Sequence, residues 1–426
     1  MTAIAHVHGR RVWDSRGRPT VEAEVTLASG VSGRAIAPAG ASTGSGEALD
    51  MRDGGQKLGG YNVARAVSHV NGEIATALKG MDVGNQQEID EALIELDGTP
   101  NKTRLGANAL LAVSMAVLHA AAASVKKPLW AYLAGGDPVR IPVPEIQIFG
   151  GGAHAGRRVD IQDFLVICPT ASNFDEVMER TAEVYRAAGQ LLAEKNRLQG
   201  VADEGGWWPS FDTNEEALDF LVRAIERAGY TPGDEVSIAL DVAASEFCKN
   251  GRYRLGLDQR ELDRDGMGEM LVNWVDRYPI ISIEDPFAED DKQGFRMFTA
   301  AVGRRVQIVG DDLLVTNAAR VEEAAREKLA TCVLIKPNQA GTVTETYAAL
   351  ETAHRLGLGA IVSARSGESE DVTIAHMAVG WNAGQFKVGS ITRSERMAKW
   401  NEILRIEEFL GANAKYAGPG ALVFAK

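Results

Sequence analysis

The chain has 426 residues, 45% hydrophobic and 24% charged, a globular balance in a length that suits two domains. Its net charge of −13, with a pI near 5.2, argues against nucleic acid or an anionic membrane surface as a partner. Cys168, Cys248 and Cys332 are far apart, show no metal spacing and fit a reducing cytoplasm; each lies in or beside an apolar run and reads as a buried thiol.

The N-terminal MTAIAHVHGRRVW has no signal-peptide core, and no membrane span is expected. Residues 3–12 and 20–28 read as strands, the second as the strict alternation VEAEVTL. WDSRGRPT between them is a turn. APAGASTGSGEA, residues 37–48, is a loop without bulky side chains, either a plain surface loop or a lid lying close to a ligand. Residues 60–80, 84–97 and 105–134 carry helical periodicity, and LGANALLAVSMAVLHAAAASV is apolar enough to be a buried helix. Strands followed by helices make residues 1–135 an α+β domain, ending at the connector GGDPVRIPVP.

Residues 136–426 change pattern. EIQIF, DFLVICP, SIALDVA, IISIEDP, VQIVGDD, TCVLIKP, GAIVSAR and QFKVGS are short apolar strands. Helical segments separate most of them, at 172–197, 214–229, 260–277, 316–328, 342–356 and 368–379. Eight strands alternating with helices predict a closed α/β barrel, modified because its first two strands abut without a full helix. Polar residues stand at the strand ends: Asp163, Asp203–Glu204, Asp241, Glu284–Asp285, Asp311–Asp312, Lys336, Arg365–Ser366 and Lys387. Buried unpaired, such a ring is costly, and bound divalent cations would relieve it. Asp241, Glu284 and Asp311 come from three consecutive strands and suit an octahedral Mg²⁺ that keeps sites for substrate and water. Lys336 and Lys387 face the same centre, and a lysine near cations has a depressed pKa and can act as a base. A rim of structural salt bridges is the competing reading.

DSRGRPTVEAEV, GASTG, EALDMRDGG, LGANALL, ADEGG, ALDVAASEF, SIEDPFAEDD, VGDDLLVTN, LIKPNQAGT, RSGESED and RSERMAKWNEILRIEE span nearly the whole chain, and in them it resembles enolase. The resemblance implies an α+β domain capping a modified eight-stranded (β/α) barrel, in a cytoplasmic homodimer or larger assembly. It implies two Mg²⁺ sites, with Asp241, Glu284 and Asp311 on the tight ion and Ser42 of the lid on the second. Lys336 then resembles the base that takes the C2 proton of 2-phosphoglycerate, and Lys387 a carboxylate contact. Glu204 resembles the acid at the C3 hydroxyl, Asp163 a further catalytic carboxylate, and Arg365 and Ser366 phosphate contacts. His154 and Gln162 match lid and pocket residues.

There are departures. Ala364 stands where the family usually has histidine, Asp163 where it has glutamate, Ala39 for serine, Pro337 for valine, and Trp207–Trp208 follow the ADEGG loop. They spare the metal ligands and the base, and fall around hydroxyl departure and phosphate. The sequence therefore predicts a specialised paralogue acting on a phosphorylated or phosphonylated carboxylic acid, such as a carboxyphosphonoenolpyruvate synthase of phosphonate biosynthesis. The alternatives are an ordinary phosphopyruvate hydratase and a non-catalytic binding protein.

Overall fold

The computed structural model describes residues 2–41 and 43–425. Three antiparallel strands, Ile4–Trp13, Pro19–Leu27 and Ser32–Ile36, form the N-terminal sheet. The third was not expected, because SGRAI is too short to show alternation. The helix Ala107–Ser124 packs on this sheet. By length and composition it is apolar enough to cross a membrane, but Asn108, Ser114 and His119 interrupt it and most of it is buried inside the protein. It approaches so closely that a Cβ on Gly33 would stand 2.2 Å from the backbone nitrogen of Ala120. Gly33→Ala is therefore expected to destabilise the protein by about 1–3 kcal/mol, read as a lower denaturant midpoint.

The eight expected barrel strands are all present. In chain order they are Val143–Gly150, Asp163–Ile167, Ser237–Asp241, Ile280–Glu284, Gln307–Gly310, Cys332–Ile335, Gly359–Ser363 and Gly384–Gly389. The eighth pairs with the first, Phe386 opposite Pro144, and closes the barrel. The second strand runs antiparallel to both neighbours. Its first residue, Asp163, therefore lies opposite Asp241, at the rim that parallel strands reach with their last residues. Alternate residues turn inward, so Gln385 and Lys387 share a face, as do Ser282 and Glu284. Deep in the lumen Gln307 and Gln385 exchange hydrogen bonds of 3.0 and 2.9 Å. The rim groups stand on this polar, filled floor.

Several elements escaped the sequence reading. They are the hairpin Leu198–Val201 with Trp207–Pro209, the three short strands between Cys248 and Leu262, and the helices Lys292–Val302 and Ser394–Leu410. The helix expected from residue 260 begins at Arg264, where the Asp263 side chain caps it by accepting from Gly266 N at 2.9 Å. Cys168 and Cys332 are buried as expected, whereas Cys248, on the small sheet, is only half-buried. Burial pushes the Cys168 thiol up to about 12.

Candidate active site

Lys387 occupies the middle of the rim. Its Nζ lies 2.8 Å from Asp241 Oδ2, 2.7 Å from Glu284 Oε2 and 3.7 Å from Asp163 Oδ2. Burial alone would lower its pKa, but these carboxylates hold it well above the ordinary lysine value. Gln162 Nε2 also donates to Asp241 Oδ2, at 3.0 Å.

Lys336 pairs with Asp311 Oδ2 one strand further round. Asp311 Oδ1 accepts from Gln339 Nε2 at 2.9 Å, and Gln339 Oε1 accepts from Thr316 Oγ1 at 2.7 Å. Thr316 Oγ1 in turn accepts from Lys336 N at 2.9 Å, which closes a ring around the lysine and its carboxylate. The turn that supplies this ring is strained: Val315 and Thr316 have φ of 42° and 51°, and Asp285 has 40°. Asp285 braces it by accepting from Asp311 N at 2.9 Å and Asp312 N at 2.8 Å. The depressed pKa expected of Lys336 belongs to a rim that holds cations; the protein groups alone act the other way. Burial lowers it, but Asp311 more than offsets that and the amine is raised.

Asp241, Glu284 and Asp311 thus all reach the rim, divided between two ammonium groups. The oxygens crowded closest together belong to other sets, Asp285–Asp311–Asp312 and His154–Asp163–Glu204. Asp285 spends its oxygens on backbone N–H groups and serves as a brace. Glu284 Oε1 and Asp163 Oδ2 are shielded from solvent and have no hydrogen-bond partner among the described residues. A hard cation would satisfy such oxygens, so the donor set fits Mg²⁺.

The third group is an ion-paired histidine. His154 Nδ1 lies 3.1 Å from Asp163 Oδ1, and its Nε2 lies 3.8 Å from Glu204 Oε1. Gln147 Nε2 donates to Asp163 and Gln147 Oε1 accepts from Gly206 N at 2.8 Å, so one barrel residue sets both Asp163 and the Glu204 turn. Trp207 fixes the far side of that turn by stacking on Tyr185 at 4.5 Å. Burial would lower the His154 pKa, but Glu204 and Asp163 override it and raise it to about 9. Burial alone would raise Asp163, yet His154 holds it down at about 2. The raised histidine stabilises the fold fully below its unfolded value, near 6.5, and loses that contribution as pH climbs towards 9. The depressed aspartate contributes above 3.8 and loses its share as pH falls towards 2. The Tm deficit of His154→Gln is therefore expected to be largest between about pH 4 and 6.5 and to shrink by pH 9, measured by thermal melts across that range.

Arg365 and Ser366, the expected phosphate contacts, lie against the N-terminal domain. Arg365 Nη1 donates to Glu47 Oε2 and to Asn338 Oδ1, both at 3.0 Å. Ser366 Oγ accepts from Ala41 N at 2.7 Å, and Ala39 and Gly367 exchange backbone bonds of 2.9 Å. The lid is thus tied at its base to the arginine loop. Ser42, the expected lid ligand, lies outside the described residues. His154, Gln162, Asp163, Glu204, Asp241, Lys336, Arg365, Ser366 and Lys387 line one small cavity together with Ala364. Glu284 and Asp311 stand directly behind its lysines.

Gln147, Gln339, Glu47 and Arg396 were missed. Their hydrogen bonds to the site reach across 8 to 318 residues of sequence, and no local spacing marks them.

The chain matches the family model described as "Enolase, N-terminal domain" over residues 4–133. It matches "Enolase, C-terminal TIM barrel domain" over residues 138–423. A curated protein named Enolase 1, from Desulfitobacterium hafniense (strain Y51), is 50% identical over 425 residues, covering 99% of this chain and 97% of that protein.

Proposed function

Since the chain belongs to the enolase family and is an enolase-type lyase, we propose that it removes water from 2-phosphoglycerate to give phosphoenolpyruvate. The sequence placed a specialised phosphonate enzyme first. Half-identity across nearly the whole chain to a protein named Enolase 1 favours the plain hydratase. The observation that carries this reading is one cavity lined by a lysine base, a second lysine, a histidine–glutamate pair and an Arg–Ser anion contact.

In this reading Lys336, as the free amine, takes the proton from C2, and the bonding pair moves into the substrate carboxylate. Lys387 lies against that carboxylate, and Arg365 and Ser366 hold the phosphate oxygens. The C3–O bond then breaks as Glu204 gives a proton to the hydroxyl, which leaves as water while the C2–C3 double bond forms. The His154 imidazolium stands on the other side of Glu204, and Asp163 and Gln162 keep the neighbouring groups in place. Mg²⁺, when bound, supplies positive charge to a carboxylate gaining negative charge. Asp241, Glu284 and Asp311 would hold it, with Ser42 at a second site. We further propose a homodimer or larger assembly, a cytoplasmic location and a domain division at 135/136.

Ala364 favours a second reading. It lines the cavity beside Arg365, and the space of an absent imidazole would accept a larger group on phosphorus. A carboxyphosphonoenolpyruvate synthase-type reaction would use that room. Appearance of phosphoenolpyruvate absorbance from 2-phosphoglycerate with Mg²⁺ decides between them. The hydratase reading expects turnover on the order of 10–10³ s⁻¹. A far slower rate that Ala364→His raises about 10-fold or more would give precedence to the second reading.

A further inference from the structure

A second cavity, of about 360 Å³, lies between the turn after the first strand and the base of the lid. Arg16, Arg18, Arg52, Asp50 and Tyr61 line it, and it meets the active site at Glu47 and Asn338, the two residues bonded to Arg365. Its three arginines are not equivalent. Arg52 is committed, holding Asp50 Oδ2 at 2.6 and 2.8 Å and the carbonyl of Tyr61 at 2.9 Å. Arg16 has its side chain 8% exposed; it lies 3.6 Å from Asp14 Oδ2 and donates to Ala39 O at 2.9 Å, Gly40 O at 3.3 Å and Ser366 Oγ at 3.5 Å, yet its Nε is buried without a hydrogen-bond partner among the described residues. Arg18 stacks over the Tyr61 ring at 4.1 Å, and its guanidinium makes no hydrogen bond or ion pair among the described residues. Opposite these donors, Asp50 Oδ1 is a buried acceptor, also without a partner.

We propose that this cavity binds a small phosphorylated hydroxy acid. Its anionic group would lie on Arg16 and Arg18, and a hydroxyl would donate to Asp50 Oδ1. Each unsatisfied group then gains the partner its chemistry requires, since a guanidinium fork suits phosphate and carboxylate oxygens and a buried carboxylate oxygen needs a donor. Tyr61 pre-orients Arg18 by holding its plane, which lowers the ordering cost of binding. The site is distinct from the catalytic cavity, so its occupancy is independent of which reaction the rim performs.

The test is calorimetric titration of the Mg²⁺-loaded protein with 3-phosphoglycerate. Two binding events per chain are expected. One is to be weakened about 10-fold or more in Arg18→Gln and partly restored in Arg18→Lys. Lys387→Ala is to weaken the other and leave this one in place. Dehydration of 2-phosphoglycerate is followed in parallel, so loss of the proposed reaction with two events intact would count against that reading alone. A single event that Arg18→Gln leaves unchanged, in a protein whose Tm matches the parent's, overturns the second site.

Discussion

Lys336→Ala is expected to lower turnover of 2-phosphoglycerate about 10³-fold, the loss typical of removing a positioned general base. The variant should also stop exchanging the C2 hydrogen with solvent deuterium, because that exchange needs the base and not departure of the hydroxyl. Glu204→Gln gives the contrast, losing dehydration while keeping exchange. Folding offers a second readout. Lys336 is the ammonium partner of Asp311, whose carboxyl burial would raise and this lysine holds down. Without the amine, a buried carboxylate keeps the Gln339 hydrogen bond and the more distant charge of Arg365. The Tm of the metal-free variant should fall, and added Mg²⁺ should recover more of it than in the parent. Full-rate turnover in Lys336→Ala would remove the amine from the reaction.

Arg396→Leu is expected to cost about 3–5 kcal/mol of stability, the range for leaving a buried ionic network broken. Arg396 is fully buried on the helix Ser394–Leu410. Its guanidinium donates to the carbonyls of Arg365 at 2.7 Å, Val388 at 3.0 Å and Ser366 at 2.5 Å. One side chain thus ties the arginine loop to the eighth barrel strand. Lys399, a turn later, donates to Ser369 O at 2.8 Å and lies 2.9 Å from Glu368 Oε2, while Glu368 Oε1 accepts from Arg365 N at 3.0 Å. Leucine takes a donor from three carbonyls at once, of which Ser366 O keeps Ser15 Oγ at 3.3 Å. Denaturant titration should show the drop. Under conditions where the variant is still folded, its KM for 2-phosphoglycerate should rise more than its kcat falls, since in the proposed reaction the loop would present Arg365 and Ser366 to phosphate.

These two residues also mark how far the sequence could be read. The barrel strands were legible because each is a short apolar run ended by a polar residue, and Lys336 closes such a run. The helix that carries Arg396 was not. It buries Arg396, Lys399 and Trp400 together, so its inner face is not an apolar stripe and its periodicity is weak. The reversal of the second barrel strand left only a trace, the missing helix before DFLVICP. Direction is decided by pairing partners and not by local pattern. The pull of Asp311 on the Lys336 amine was not legible, because strand-end position carries no distances. Lys336 and Asp311 were both placed at the rim, and only their direct pairing shows which charge dominates.

That reversed strand has a consequence for motion. An ordinary connection after a barrel strand runs outward and down to a helix on the wall, so moving it tugs on a distant element. The segment 151–162 instead leaves Gly150 and re-enters at Asp163, two residues that lie opposite each other in the ladder. Both of its ends sit at the mouth, but its middle is tied further out: Asp160 accepts from Gly256 N at 2.7 Å, Leu257 N at 3.1 Å and Asn214 Nδ2 at 2.9 Å, so displacing the stretch that bears His154 would also break its bonds to the helix Asn214–Arg227 and to the turn after Leu255. A ligand that shifted His154 would therefore be felt at an outer helix as well as at the rim.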